Sequence, residues 1–509
     1  VEGKFYVTTP IYYVNDKPHI GHAYTTVLAD VLARYHRMMG EKVFFLTGTD
    51  EHGQKVADAA SERGVEPRRH CDEMVQRFRT LWERLAISND DFIRTTQSRH
   101  IDVVQNVLAR LHRAGDIYLG TYDGWYCPYE ERFWTEKDLV DGACPECGRT
   151  TRRIAEQNYF FRMGRYQEWL VAYVSDNPSF VIPEARRNEV LGFLQKPLSD
   201  LCISRPRSRL AWGIPLPFDH DYVTYVWFDA LLNYVSGAGH GGGEGDEGQW
   251  WPADLHLIGK DILTTHSVYW PTMLKAAGIP MPRCIYAHGW WLTEEGKMSK
   301  SRGRVVDPLD LIGKYGLDPF RYFLMREMTQ GQDAIFSEEA LVRRLNSDLA
   351  NDLGNLQSRV LKIVERHFGS SMPDLGAPGA EEDALRAQST RAAVDVKTAV
   401  EGVRVNDAVA SAMELVRATN RYLERRAPWK LVRNSETLAE AGTVLGTACE
   451  VLRVVSSLLY PVMPAKCGAL RESLGLGDLE PSLEEARAWA AIGAGRQIRS
   501  GGALFPRQA

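Results

Sequence analysis

The first fifty residues carry the pattern that most narrows the fold. Residues 4–8 read as a short strand, with Phe5 and Val7 on one face. A loop containing Pro10, Asn15, Asp16 and Pro18 follows, and a long helix begins near His22. Its apolar residues Val27, Leu28, Val31, Leu32, Tyr35 and Met38 recur at helical spacing, and Gly40 ends it. Residues 43–46 form the next buried strand. Strand, helix and strand at this spacing make a βαβ unit, which commits the chain to a parallel sheet and the α/β class. In such sheets ligands bind in the crevice beyond the strand ends.

One core cannot hold all 509 residues, and about 150 residues per domain predicts three or four domains. From about Gly115 the sequence turns rich in aromatics and turn residues, and residues 116–202 read as an insertion. Parallel-strand patterning returns at residues 222–229 and 255–258. Residues 237–248, rich in glycine and partly acidic, read as an exposed loop. Beyond Arg304 the chain becomes helical. Leu345, Leu349, Leu353, Leu356 and Val360 mark one amphipathic helix, and residues 386–405, 407–425 and 438–459 supply others. These make a helical bundle, with residues 481–509 as a trailing segment.

Composition excludes little. Hydrophobic content of 44% and charged content of 25% are ordinary for a globular chain. The apolar runs are short and interrupted, so no membrane-spanning helix is expected. Residues 1–6 lack the basic flank and apolar stretch of a signal peptide, which predicts a cytoplasmic protein. The eight cysteines do not form a disulfide framework. A net charge of −5 argues mildly against a nucleic-acid partner, although a basic stripe can sit on an acidic protein.

Two segments carry chemistry. His19-Ile20-Gly21-His22 places two histidines on the first turn of the long helix. Backbone N–H groups and the helix dipole there favour a phosphate, and Gly21 lets a nucleotide approach the backbone. The plainer reading is a pair of capping histidines. Lys297-Met298-Ser299-Lys300-Ser301 lies between Gly296 and Gly303. Two lysines in a glycine-flanked loop can neutralise the charge that builds as pyrophosphate leaves. The plainer reading is an exposed basic loop.

Together the two segments resemble the HIGH and KMSKS signatures of class I aminoacyl-tRNA synthetases, in the same order and context. The resemblance implies a catalytic pair His19, His22 with Lys297, Lys300, and a Mg2+-ATP substrate. Gly21, Ser299, Gly259 and Asp261 would also hold ATP, the last two at the ribose. His288, Gly289 and Trp291 would line the adenine side.

Four further blocks resemble methionyl-tRNA synthetases: Thr9-Pro10-Ile11-Tyr12-Tyr13, Thr47-Gly48-Thr49-Asp50-Glu51-His52-Gly53, residues 225–234, and residues 259–266 continuing to Trp270. A thioether is polarizable and only a weak acceptor, so its pocket must work by shape and aromatic contact. Ile11, Tyr13, Trp227, Ala230, Tyr234, Ile262, His266 and Trp270 offer such a pocket. The resemblance implies that Asp50 holds the ammonium and that Tyr234 and the backbone at Ile11 face the sulfur.

Cys144-Pro145-Glu146-Cys147 is a knuckle turn, and Cys127 precedes it at a distance suited to zinc. Relatives carry a fourth cysteine where this chain has Glu130, so both a zinc site and a metal-free knuckle held by packing stay open. In the helical part, Asn355 and Arg359 share a helix face, and Pro428 and Trp429 follow a basic stretch. This resembles the family's anticodon site, where a tryptophan stacks on a splayed base. A packed tryptophan beside an ion-pair face is the plainer reading.

The fold class expected is α/β. A Rossmann-like parallel-sheet catalytic domain carries a connective insertion and is followed by an all-α helical-bundle anticodon-binding domain. The boundaries are 1–115 and 203–292 for the two catalytic halves, 116–202 for the insertion, 293–345 for the linker carrying the lysine loop, and 346–509 for the bundle. The partners expected are methionine, ATP and both initiator and elongator tRNA(Met), with no membrane and a monomeric enzyme. A non-catalytic tRNA-binding protein, a small nucleotidyltransferase and another class I synthetase are the alternatives. The two intact signatures, the insertion with the bundle, and the lack of a large editing insertion argue against them in turn.

Overall fold

The computed structural model describes residues 3–15, 17–129, 132–134, 136–145, 147–240, 249–293, 296–297, 306–477 and 479–508. Residue 130, most of the glycine-rich loop and residues 298–305 of the lysine segment lie outside that set.

Six parallel strands build the central sheet. Their order is Asp91–Arg94, Lys42–Asp50, Lys4–Tyr13, Leu255–Gly259, Ile285–His288 and Val181–Ile182. The chain leaves the Lys4–Tyr13 strand toward one edge and later returns to its other side at Leu255–Gly259. That reversal opens a crevice beyond the ends of the two central strands. The helix Ile20–Met38 follows the first strand and buries Val27, Leu28, Val31 and Leu32 in the core it shares with the sheet, while Tyr35 OH donates to Leu458 O of the bundle at 2.6 Å. Its apolar stripe explains both its existence and its seat.

The expected insertion, residues 116–202, is only partly separate: Val181–Ile182 returns to the edge of the central sheet, beside Ile285–His288, while the rest carries its own antiparallel sheet. Ile117–Cys127 pairs with Arg132–Trp134 on one side and with Arg152–Phe161 on the other, and Leu201–Cys202 closes it.

Residues 222–229 depart from the expected parallel strand. Asp219–Thr224 is antiparallel, in a small sheet with Ser204–Pro206 and Pro215–Leu216, and Val226–Leu231 is a helix. Trp227, Ala230 and Tyr234 stand three and four residues apart, a helical period hidden in a run of aromatic and β-branched residues.

The second half is helical, as expected. Glu338–Arg344, Leu345–Gly354 and Asn355–His367 run on from one another, and the middle segment is wound as a π-helix. Ala380–Glu401, Val405–Arg426 and Leu438–Leu458 pack beside them. The helical span Ser435–Leu458 is long and apolar enough to cross a membrane, yet its apolar stretch is buried inside the bundle and only its first residues, such as Ser435 and Glu436, are exposed. This is a core helix. Residues 481–508 do not trail: Ile492, Ile498, Leu504 and Phe505 are buried, and Ile492 N–H donates to the buried Glu450 at 2.7 Å. Their apolar residues follow no regular period, so the sequence pattern reads as loop.

A buried ion pair ties the halves together. Arg321 donates to Asp30 at 2.6 Å, to Leu85 O at 2.8 Å, and to Pro461 O and Val462 O at 2.8 and 2.9 Å. Burial pushes the Asp30 carboxyl up, but Arg321 and Arg34 hold it below the usual carboxylate range. The helix that starts at the histidine pair is thereby fixed to the far bundle.

Candidate active site and anticodon face

The helix after the first strand begins with a reciprocal cap. His19 is its N-cap, and His19 Nδ1 accepts from Gly21 N–H at 3.1 Å. His22 Nδ1 accepts in turn from His19 N–H at 3.0 Å. The capping reading is therefore correct, and it serves the chemical one. A ring whose Nδ1 accepts carries its proton on Nε2, so each imidazole presents Nε2–H as a donor. The rings lie 3.9 Å apart at a helix N-terminus, an arrangement suited to phosphate oxygens.

These histidines line a cavity of about 340 Å³ in the crevice. Gly21 shares that wall; Ile11, Tyr13 and Asp50 come from the ends of the two neighbouring strands. Trp227, Ala230 and Tyr234 enter from the helical segment opposite, with Ile262 and His266 beside them. Gly259, Asp261, His288, Gly289 and Trp291 close the other end. Trp270 is the exception. It is fully buried one layer back, edge-on to Tyr234 at 5.9 Å, and supports the wall instead of forming it.

The polar groups of the pocket are tied to one another. Tyr234 OH bonds His266 Nε2 at 2.7 Å, and His266 Nδ1 bonds Ile262 O at 3.0 Å. Burial pushes the His266 imidazole down to about 4 and raises the Tyr234 phenol. Both are neutral near pH 7, which suits an uncharged thioether.

Sequence reasoning missed several wall residues: Pro10, Tyr12, Thr25, Leu231, Asn233 and Trp290. Thr25 had a signal. It follows Gly21 by one helical turn, and its hydroxyl bonds His288 Nε2 at 2.7 Å across the crevice. A buried brace behind the pocket was also unassigned. Asp229 bonds His52 Nδ1 at 2.7 Å and His100 Nε2 at 2.6 Å. Burial would raise the Asp229 carboxyl, but the two imidazoles hold it below its usual range. Two of the motif blocks are thus joined by a hydrogen bond.

Gly296–Lys297 pairs with Trp291–Thr293, so the base of the lysine segment stands at the cavity edge. Ser299 and Lys300 lie outside the described residues. In the knuckle, the sulfurs of Cys127, Cys144 and Cys147 lie within 4.8 Å of one another, with Cys127 and Cys147 3.6 Å apart. Thiolates around a tetrahedral zinc, bonded at about 2.3 Å, sit about 3.8 Å apart, so the three fit that ion. Glu130 lies outside the described residues.

On the bundle, the Arg359 guanidinium lies 4.7 Å over the Trp429 ring and pairs with Glu424 at 2.8 Å. Asn355 is exposed one turn before Arg359, Pro428 is buried, and Trp429 is half-buried. Ala427, with φ of 44°, is the left-handed turn that swings Pro428 and Trp429 onto this face. The basic stretch beside it is internally neutralised: Arg421 pairs with Glu414, Arg425 with Glu381, and Arg426 with Glu382. Such pairing is one reason that overall charge says little about RNA.

A parallel-sheet crevice with a histidine-capped helix, a lysine segment at its rim and a following helical bundle defines a class I aminoacyl-tRNA synthetase. The family described as tRNA synthetases class I (M) matches residues 5–154 and 148–361. The anticodon binding domain of methionyl tRNA ligase matches residues 372–508. The chain is 44% identical to the methionine--tRNA ligase of Caldanaerobacter subterraneus subsp. tengcongensis, over 99% of this chain and 78% of that one. It is 42% identical to that of Thermotoga maritima, over 99% and 80%. A structure of Mycobacterium tuberculosis methionyl-tRNA synthetase in complex with methionyl-adenylate superposes with a TM-score of 0.95 at 40% identity, covering 99% of this chain and 100% of that one. The apo form of that protein gives 0.88 at 38% identity, covering 100% and 99%. The chain belongs to the methionyl-tRNA synthetase family: it forms methionyl-adenylate from methionine and ATP and charges tRNA. The expected nucleic-acid partner therefore stands despite the acidic net charge.

Proposed function

We propose a residue-level division of labour along the cavity. Asp50 holds the methionine ammonium. Tyr234 and the backbone of Ile11 face the sulfur, and Tyr13, Trp227, Ala230, Ile262 and His266 shape the pocket. Trp270 props Tyr234 from behind. ATP lies across the histidine cap as its Mg2+ complex, with Gly21 beneath it. Gly259 and Asp261 take the ribose, and His288, Gly289 and Trp291 take the adenine.

The methionine carboxylate attacks the α-phosphorus, the bond to the β-phosphate oxygen breaks, and pyrophosphate leaves. His19 and His22, as Nε2–H donors, hold the phosphate oxygens, while Lys297, Ser299 and Lys300 neutralise the departing charge. A terminal ribose hydroxyl of tRNA then attacks the acyl carbonyl and AMP leaves. Asn355, Arg359 and Trp429, seated by Pro428, read the anticodon of initiator and elongator tRNA(Met) alike.

The observation that carries this reading is one continuous cavity that joins the Tyr234–His266 pocket to the His288 wall across the histidine cap. Methionine-dependent ATP–pyrophosphate exchange tests it. Asp50→Ala and Lys300→Ala should each abolish most exchange, and wild-type rates in both would overturn the assignment.

A zinc held by Cys127, Cys144, Cys147 and Glu130 would be structural and take no part in the reaction. Stoichiometric zinc in the purified protein supports it; zinc-free, fully active protein refutes it. We further propose a cytoplasmic monomer. The exposed large apolar side chains, such as Leu119, Phe193, Leu309 and Val394, are spread over different elements. Sedimentation at micromolar concentration checks the oligomeric state. The domain boundaries at 115, 202, 292 and 345 remain our division of the chain, and limited proteolysis checks them.

A further inference from the structure

Lys260 stands between Gly259 and Asp261 at the nucleotide end of the cavity, where a phosphate role suggests itself. Its ammonium is instead committed elsewhere. It pairs with Asp333 at 2.7 Å and lies 4.1 Å over the Trp290 ring. Trp290 is held from three more directions. Its backbone N–H donates to Asp333 Oδ1 at 2.8 Å. Its indole Nε1–H donates to Asp261 Oδ1 at 3.1 Å. The peptide before it is clamped, because a Cβ on Gly289 would lie 2.0 Å from Gln332 O.

The Asp261 carboxylate is pinned in turn. Oδ1 lies 2.4 Å from where a Cβ on Gly259 would stand, so the carboxylate folds back over that glycine. Any side chain at 259 would push it away. Oδ1 is thus fixed between Gly259 and the Trp290 indole. Burial raises the Asp333 carboxyl, but Lys260 and the Trp290 N–H hold it below its usual range, so the anchor is ionised.

We propose that Trp290 is a positioning residue for the nucleotide ribose: its indole N–H fixes one oxygen of Asp261 and leaves Oδ2 to accept from a sugar hydroxyl. Lys260 and Asp333 hold the indole in place, so a loop after the lysine segment sets the ribose contact without touching ATP. The inference rests on the assignment of Asp261 to the ribose, and the test separates the two.

The test is methionine-dependent exchange with ATP and with 2′,3′-dideoxy-ATP, in wild type, Trp290→Phe, Asp261→Ala and the double variant. Phenylalanine keeps an aromatic ring beside Lys260 and removes the N–H donor with part of the indole. Trp290→Phe should raise KM for ATP about fivefold, the size of one net hydrogen bond, and leave KM for the dideoxy nucleotide unchanged. Adding it to Asp261→Ala, which has no acceptor for the indole, should cost nothing more. Asp333→Asn, which keeps an acceptor for the Trp290 N–H but drops the Lys260 pair, should move KM for ATP the same way by less. If Asp261→Ala loses discrimination between the nucleotides while Trp290→Phe raises both KM values equally, or neither, the inference is overturned and the ribose assignment stands. If Asp261→Ala keeps full discrimination, the ribose assignment falls and the inference with it.

Discussion

The crevice and the proposed anticodon face solve opposite problems. In the crevice the polar side chains are already bonded: buried Tyr234 to His266, buried Thr25 to His288, and the two half-buried cap histidines to the helix backbone. On the bundle, Asn355 is exposed, and Arg359 lies between the Trp429 ring and the exposed Glu424. The first arrangement cannot relax without breaking several bonds. On the proposed reading, RNA replaces the contacts of the second arrangement one for one. A site that stabilises developing charge needs donors fixed in advance, whereas a site that reads a base needs a surface the base can enter.

The contrast can be broken most forcefully at His22. His22→Ala removes the proposed phosphate donor and its half of the cap, and should lower exchange on the order of 100- to 1000-fold. Anticodon recognition should not change, as read by tRNA binding to the variant. Trp429→Ala is the mirror experiment. Loss of one stacked base should lower kcat/KM for tRNA about 10- to 100-fold and leave exchange at the wild-type rate. A smaller change sharpens the pocket: Tyr234→Phe removes the hydroxyl bonded to His266 and should raise KM for methionine about fivefold.

The smallest expected effect is on pH. His266 is held near 4 by burial, below its ordinary 6.5. Between those values the unfolded chain binds a proton that the folded protein refuses, so stability falls as pH falls from 6.5 toward 4. His266 alone contributes up to about 3 kcal/mol of that loss. Above about pH 5.5 the ring is neutral, so KM for methionine should stay flat from pH 8 to 5.5 while Tm declines below 6.5. A KM that rises steeply between pH 7 and 6 would contradict a buried neutral His266.

The same contrast explains what was legible in the sequence. The βαβ unit, the histidine pair and the helices of the bundle read out because local periodicity and capping chemistry set them. The pocket residues read out because they cluster in short blocks. Thr25, His100 and Asp229 did not, since their roles arise from partners 129 to 263 positions away. The helix at Val226–Leu231 was hidden by strand-like composition, and tertiary packing overrode that composition. The fixed C-terminal segment escaped notice because Ile492, Ile498 and Phe505 fill gaps in the bundle without a regular period. Trp290 was invisible for another reason: its neighbour Trp291 matched the adenine side, and only geometry separates a ring on the wall from an indole bonded to Asp261.

The most direct test of this division is methionine-dependent ATP–pyrophosphate exchange, without tRNA, on His22→Ala and Trp429→Ala side by side. Near-complete loss is expected in the first and the wild-type rate in the second. Exchange that survives His22→Ala, or that fails in Trp429→Ala, would contradict it.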